Sequence, residues 1–255
     1  LEIYEKFMGE DPRKVPMKVF PAVHYTMGGL WIDYDQMTNI PGVFAAGECD
    51  YSQHGANRLG ANSLLSAVYG GMVAGPKAVE YIEGLEKSAD AMPSSLFESY
   101  KKQHDEEFEN ILAMDGTENA YELHRELGQW MTDNVTVVRY NDRLLKTDEK
   151  IQELLERYKN INVQDTSRWN NQGAVFIRHL YNMMQLARVI TLGAYNRNES
   201  RGAHYKPEFP ERDDENWLKT TKAKFVGKDK APEFEYEDVD VSLIKPRPRD
   251  YTKKA

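Results

Sequence analysis

The 255-residue chain carries 41 acidic and 33 basic residues, and its net charge of −8 argues against nucleic acid as a main partner, since phosphate binding needs a basic face. Its 40% hydrophobic and 11% aromatic content is globular rather than disordered, and its length suits one large or two small domains. The single cysteine, Cys49, excludes an internal disulfide, suits a reducing compartment and reads as a small buried residue.

The opening LEIYEKFMGEDP reads as the end of a helix, with Pro12 and Pro16 blocking its continuation. Its first residues do not read as a signal peptide, and beginning at Leu1 within a helix fits a fragment or a processed product. Val15 to Tyr25 holds extended apolar positions interrupted by Pro21, as in an edge or irregular strand. Leu30 to Tyr34 alternates like a half-buried strand, and Val43 to Ala46 is an apolar run of the buried-strand type. Between them Asn39-Ile40-Pro41-Gly42 forms a turn, Pro setting one dihedral and Gly permitting the positive one.

A loop containing His54, Gly55, Arg58 and Gly60 then feeds a helix over 63–83, whose Leu64, Leu65, Val68, Tyr69, Met72 and Val73 recur at helical spacing. Asn62 and Ser63 are of the types that cap a helix start. The free N–H groups and partial positive charge of such a mouth favour an anion, and the planar fork of Arg58 suits a carboxylate. From the residues alone, ligand binding and an ordinary strand-to-helix loop stand about equal. Gly70, Gly71 and Gly75 inside the helix read as sites of close packing, His54 as a brace for the loop.

Beyond a linker at 84–93 the signals are helical. Ser95 to Glu98 has the capping-box pattern, and Phe97, Tyr100, His104, Phe108, Ile111 and Leu112 trace one face. Tyr121 to Met131 forms a second helix, Val137 to Tyr158 a third with a break near Asn141, and Val175 to Tyr195 a fourth that lies between the others. The aperiodic stretch Asn196–Glu215 wanders over the surface or wedges between domains. Lys219–Val226 and Glu233–Val241 flank Gly227-Lys228-Asp229 as a hairpin, and the basic tail after Pro246 is loose. None of His104, His124, His179 or His204 has metal-ligand spacing, so no metal is expected. No run approaches the ~18 apolar residues of a membrane span.

The order of residues carries more. HGANRLGANSLL, residues 54–65, preceded by GVFAAGE at 42–48 and HYTMGG at 24–29, closely resembles the flavoprotein subunit of succinate dehydrogenase and fumarate reductase. ESRGAHYKPEFPERDDENWL, Glu199 to Leu218, resembles the C-terminal region of the same family. The resemblance implies an architecture of α/β plus all-α type. The C-terminal part of an FAD-binding α/β domain spans 1–85, a helical bundle domain 94–196, and a C-terminal extension with a β-hairpin 197–255.

By the same resemblance, His24 and Arg58 bind the two carboxylates of succinate or fumarate. Glu48 contacts the ribityl portion of FAD, and Ser63 and Leu64 meet the polar edge of its ring. From the residues alone His24 is more simply a turn brace, Arg58 a member of a structural ion pair and Ser63 an N-cap. The family's proton-transfer arginine and its flavin-linked histidine precede the present Leu1, so no catalytic residue is assigned within the chain. The family also begins with a GxGxxG motif that this sequence does not contain. The isolated chain is therefore expected to be inactive and to bind FAD poorly or not at all. The resemblance further implies an iron–sulfur subunit, a membrane anchor and a peripheral place at the cytoplasmic face of a membrane. Two alternatives are a fragment of L-aspartate oxidase and a non-catalytic helical docking module.

Overall fold

The structure, a computed structural model, describes residues 1–19, 22–51, 54–228 and 230–247. Pro21 of the expected edge strand, Asp229 of the expected hairpin turn and the far end of the basic tail lie outside the described residues.

The chain opens with α1 (Glu2–Met8), which stops at Gly9 in the left-handed conformation, its N–H bonded back to the Glu5 carbonyl. From there to the central loop the described residues form isolated bridges rather than strands: Leu30 with Asp50, Ile32 with Thr38, and Met37 with Phe44. The alternating runs of the sequence are extended here but pair over only a residue or two. The tight loop between them is wound by Asp33, whose Oδ1 accepts from the N–H groups of Asp35 and Met37. Cys49, expected inside, is exposed.

Helix α2 (Asn62–Glu83) begins after Ala61, which sits at φ 65° and offers no side-chain cap. Asn62 and Ser63 thus lie inside the helix, and neither caps it. The covered strip of α2 is narrow and made of small residues, Ser66 and Gly70. A Cβ on Gly70 would stand 3.1 Å from the Ala46 Cβ, so this glycine does permit close approach, whereas Gly71 and Gly75 face open space. The apolar stripe at helical spacing is largely open, with Leu64 76% and Met72 71% exposed.

After a 3-10 turn at Ala89–Ala91 come α3 (Ser94–Leu112), α4 (Ala120–Met131), α5 (Asn141–Tyr158) and α6 (Gln172–Asn196). Helix α3 starts after Pro93, so the expected capping box at Ser95 does not form; its Phe97 and Tyr100 are exposed, and only the Ile111–Leu112 end is buried. Helices α4 and α6 are capped by Asn119 and Asn171, whose side chains accept from N–H groups of the first turn. Leu123, Ile151, Leu154, Ile161, Leu180 and Met184 form the solvent-free centre of this bundle. A π-helical turn at Thr132–Thr136 and a short extended stretch make the break expected near Asn141. Arg188 of α6 reaches Asp148 of α5 through two hydrogen bonds of 2.7 and 3.1 Å, a buried pair that fixes how these helices face.

The short α7 (Asp214–Trp217) leads into β1 (Lys219–Lys224) and β2 (Glu233–Asp238), an antiparallel hairpin. Lys219 stands opposite Asp238 and Lys224 opposite Glu233, opposite charges that favour this register. Trp31 donates to the Glu237 carboxylate at 3.2 Å, which fastens the hairpin to the first part of the chain. Among the described residues no helix is long and apolar enough to cross a membrane.

Candidate functional site

The central loop turns on Gly55 at φ 59° and Ala61 at φ 65°, and between them it presents Arg58. The Arg58 backbone N–H points at the Met27 sulfur, 2.8 Å away, and its guanidinium lies 4.7 Å above the Tyr25 ring. Its Nη1 donates to the Leu59 carbonyl at 3.1 Å, while its Nε is buried without a hydrogen-bond partner. Among the described residues no carboxylate pairs with it. A cation so placed has a donor to offer.

Around Arg58 runs a hydrogen-bonded chain. The Tyr25 hydroxyl and the Ser66 hydroxyl both lie against His54 Nε2, at 3.2 and 3.1 Å, and Ser66 donates to the Ser63 carbonyl at 2.9 Å. His54 thus joins HYTMGG to the start of α2. The Glu48 carboxylate accepts from the Thr26 N–H at 2.9 Å through Oε1, and its Oε2 makes no bond among the described residues.

Of the residues expected at the site, Arg58 and Ser63 belong to this cluster, and Glu48 is tied to its edge. Leu64, the residue after Ser63 in the first turn of α2, is exposed. His24 is exposed, and no hydrogen bond, ion pair or ring contact joins it to Arg58. Tyr25, Met27 and Ser66 were not singled out from the sequence. Their signals were slight: Tyr25 adjoins His24, and Ser66 lies one helical turn beyond Ser63. Two surface hollows, about 420 and 320 Å³, lie elsewhere, beside Trp130 and Arg143 and beside Tyr81 and Lys77. Among the described residues no three His, Cys, Asp or Glu side chains converge to hold a metal.

The loop is also held from the far end of the chain. Asn196–Glu215, read as aperiodic, is wedged and heavily bonded. Glu199 has no solvent exposure and accepts from Arg197 at 2.6 Å, from Arg201 at 2.9 and 3.0 Å, and from the Asp213 N–H at 3.1 Å. Lys206 is equally buried and donates to the Ala194, Tyr195 and Arg197 carbonyls and to Asn198 Oδ1, at 2.9–3.2 Å. An ammonium placed there satisfies carbonyls that the end of α6 leaves without intrahelical donors. In the acidic run, Asp214 binds Arg201 and Arg212, each at 2.7 Å.

His204 sits between the Arg139 guanidinium, 2.5 Å from Nδ1, and the Arg197 carbonyl, 2.9 Å from Nε2. Nδ1 accepts and Nε2–H donates, so the ring is neutral. Burial, then the Arg139 charge, pull its pKa down to about 4. The unfolded imidazole titrates near 6.5, so between these values the unfolded chain binds more protons. Stability therefore rises with pH across this window, and the site contributes on the order of 3 kcal/mol that is lost as pH falls through it. Urea unfolding of wild type and His204→Gln at pH 7 and 4.5 measures this. The wild type is expected to lose distinctly more stability than the variant, and equal losses would refute it.

A family model described as "Fumarate reductase flavoprotein C-term" matches residues 124–251, and one described as "FAD binding domain" matches residues 1–64. The chain is 74% identical to the Bacillus subtilis succinate dehydrogenase flavoprotein subunit, over 100% of its own length and 43% of that protein. It superposes on an Escherichia coli quinol fumarate reductase with a TM-score of 0.90 at 34% identity, covering 100% of this chain and 43% of that one. A quinol–fumarate reductase solved with menaquinol molecules matches with a TM-score of 0.88 at 34% identity, over 96% and 42% of the two chains. The chain thus spans less than half the length of these relatives.

Proposed function

This chain belongs to the family of fumarate reductase and succinate dehydrogenase flavoproteins, and on that premise we propose that it contributes the dicarboxylate grip and part of the flavin bed to an enzyme interconverting succinate and fumarate. The observation that carries this reading is Arg58, half-buried on the Tyr25 ring, paired with no carboxylate among the described residues and left with an unsatisfied Nε. A buried donor without a partner costs free energy that a bound carboxylate removes.

The residues present also fit FAD. The mouth of α2 has no side-chain cap, and Glu48, bonded through one carboxylate oxygen to the Thr26 N–H, keeps the other uncommitted among the described residues. In this reading Glu48 accepts from the sugar-alcohol hydroxyls, and Ser63 and Leu64 border the ring, where the helix mouth favours negative charge. FAD supplies the hydride acceptor. Arg58 holds one carboxylate of the substrate and His24, swung in from its exposed position, donates to the other. Two separate donors, one at each end of a C4 diacid, lay its central carbon–carbon bond flat against the ring. Electrons pass onward to an iron–sulfur subunit and, through a membrane anchor, to quinone, which places the protein at the cytoplasmic face of a membrane as a peripheral subunit.

The test is the substrate of the complete flavoprotein carrying this sequence. Under anaerobic conditions succinate is expected to bleach its flavin absorbance and L-aspartate to leave it unchanged. Bleaching by L-aspartate alone would overturn the reading in favour of an L-aspartate oxidase.

A further inference from the structure

We propose that Gly202 and Ala203 are positioning residues for the substrate, because the turn they form fixes where Arg58 stands. The inference rests on the reading of Arg58 as a carboxylate grip. The Ala203 N–H donates to the Ala56 carbonyl at 2.9 Å, two residues before Arg58. Gly202, at φ +57°, lies so close that a Cβ on it would meet the Ala56 carbonyl oxygen at 2.4 Å and its carbon at 2.6 Å. No side chain fits between these backbones.

The turn is itself immobilised. Arg201 and His204 exchange two backbone hydrogen bonds across it, of 2.8 and 3.0 Å. Arg201 is locked on buried Glu199 and on Asp214, and His204 is held by Arg139 and the Arg197 carbonyl. The central loop therefore has two stops. On one side stand the Met27 sulfur and the Tyr25 ring; on the other stands a turn anchored on the fully buried Glu199. A loop with glycines at 55 and 60 has little stiffness of its own, so its register on the substrate is set by these stops.

Placing a methyl group at residue 202 forces the two backbones apart by about 1 Å before ordinary contact distances return. Arg58 moves with Ala56. A carboxylate keeps its charge throughout the reaction, so a displaced grip weakens ground state and transition state together and raises KM before it lowers kcat.

The experiment uses the complete, FAD-loaded flavoprotein with Gly202→Ala and Gly202→Asn, and Arg58→Ala beside them. Asparagine tolerates positive φ, so the pair separates the clash with Ala56 from backbone strain. Both glycine variants are expected to raise KM for succinate by roughly tenfold or more, with kcat changed less than about threefold and flavin content unchanged. A folded variant with wild-type KM and only a lowered melting temperature would overturn the proposal. A measurement on the wild type needs no variant: malonate, a dicarboxylate without the pair of adjacent methylene carbons that dehydrogenation needs, is expected to slow hydrogen exchange of the Ala203 and Arg58 amides together. Exchange at Ala203 unaffected by malonate also overturns the proposal. If Arg58→Ala leaves KM unchanged, the reading of the grip has failed, and the exchange of the Arg58 amide in the Gly202 variants still reports whether the turn positions the loop.

Discussion

Replacing Arg58 by alanine in the complete flavoprotein is expected to lower kcat/KM for succinate by about three orders of magnitude while leaving thermal stability nearly unchanged. Two charge-assisted hydrogen bonds to a carboxylate contribute roughly 3 kcal/mol, about a hundredfold, and lost alignment of the substrate adds on the order of a further tenfold. The stability forecast follows from the same geometry. In the free protein the guanidinium has an unsatisfied buried Nε, one bond to the neighbouring Leu59 carbonyl and a contact with the Tyr25 ring. Its removal therefore trades about 0.5–1 kcal/mol of cation–π attraction against relief of an unpaired donor. A residue kept for structure gives the reverse pattern, a lower melting temperature with activity intact. Arg58→Lys keeps the charge but not the fork, and is expected to recover only part of the loss. Steady-state kinetics beside a melting curve checks this; a loss of less than tenfold would remove Arg58 from the grip.

Glu199→Ala is expected to have the largest effect on stability, about 3–5 kcal/mol, because it strips the anion from a solvent-free site and leaves its cations behind. Glu199 accepts from both Arg197 and Arg201 and also from the Asp213 N–H, and it has no solvent exposure. Arg197 keeps the Trp217 and Lys219 carbonyls and Arg201 keeps Asp214, so the loss is bounded. Glu199→Gln retains the shape but not the charge and is expected to fall between wild type and alanine. Denaturant unfolding measures it, and a cost below about 1 kcal/mol for Glu199→Ala would show that the cluster relaxes to let water in. Since the Gly202 turn hangs on Arg201, Glu199→Ala is expected to raise KM as well.

Much of the fold was legible because helical signals are local. The spacing of Leu123, Leu127 and Trp130, or of Ile151, Leu154 and Tyr158, repeats within one turn, and the helices form where those repeats lie. The hairpin was legible for the same reason, a turn flanked by alternating runs. The extended runs near Leu30 and Val43 were less so, because a strand exists only through a neighbour, and alternation says nothing of how many residues will pair. Capping misled twice. Ser63 and Ser95 have the right chemistry, but whether such a residue falls at the cap or two residues inside depends on how the preceding loop enters, at Ala61 and at Pro93.

By itself the sequence determined which residues can do chemistry: a lone arginine in a glycine-flanked loop, a histidine ahead of two glycines, a carboxylate closing an apolar run, and the motif order that marks the family. Only the tertiary structure decided which of them meet. It set Arg58 on Tyr25 and Met27, joined His54 to Ser66, and brought Gly202 against Ala56 from far along the chain. The reason is physical: side-chain type fixes charge and hydrogen-bonding capacity, whereas position depends on contacts between segments remote in sequence, which no local pattern encodes.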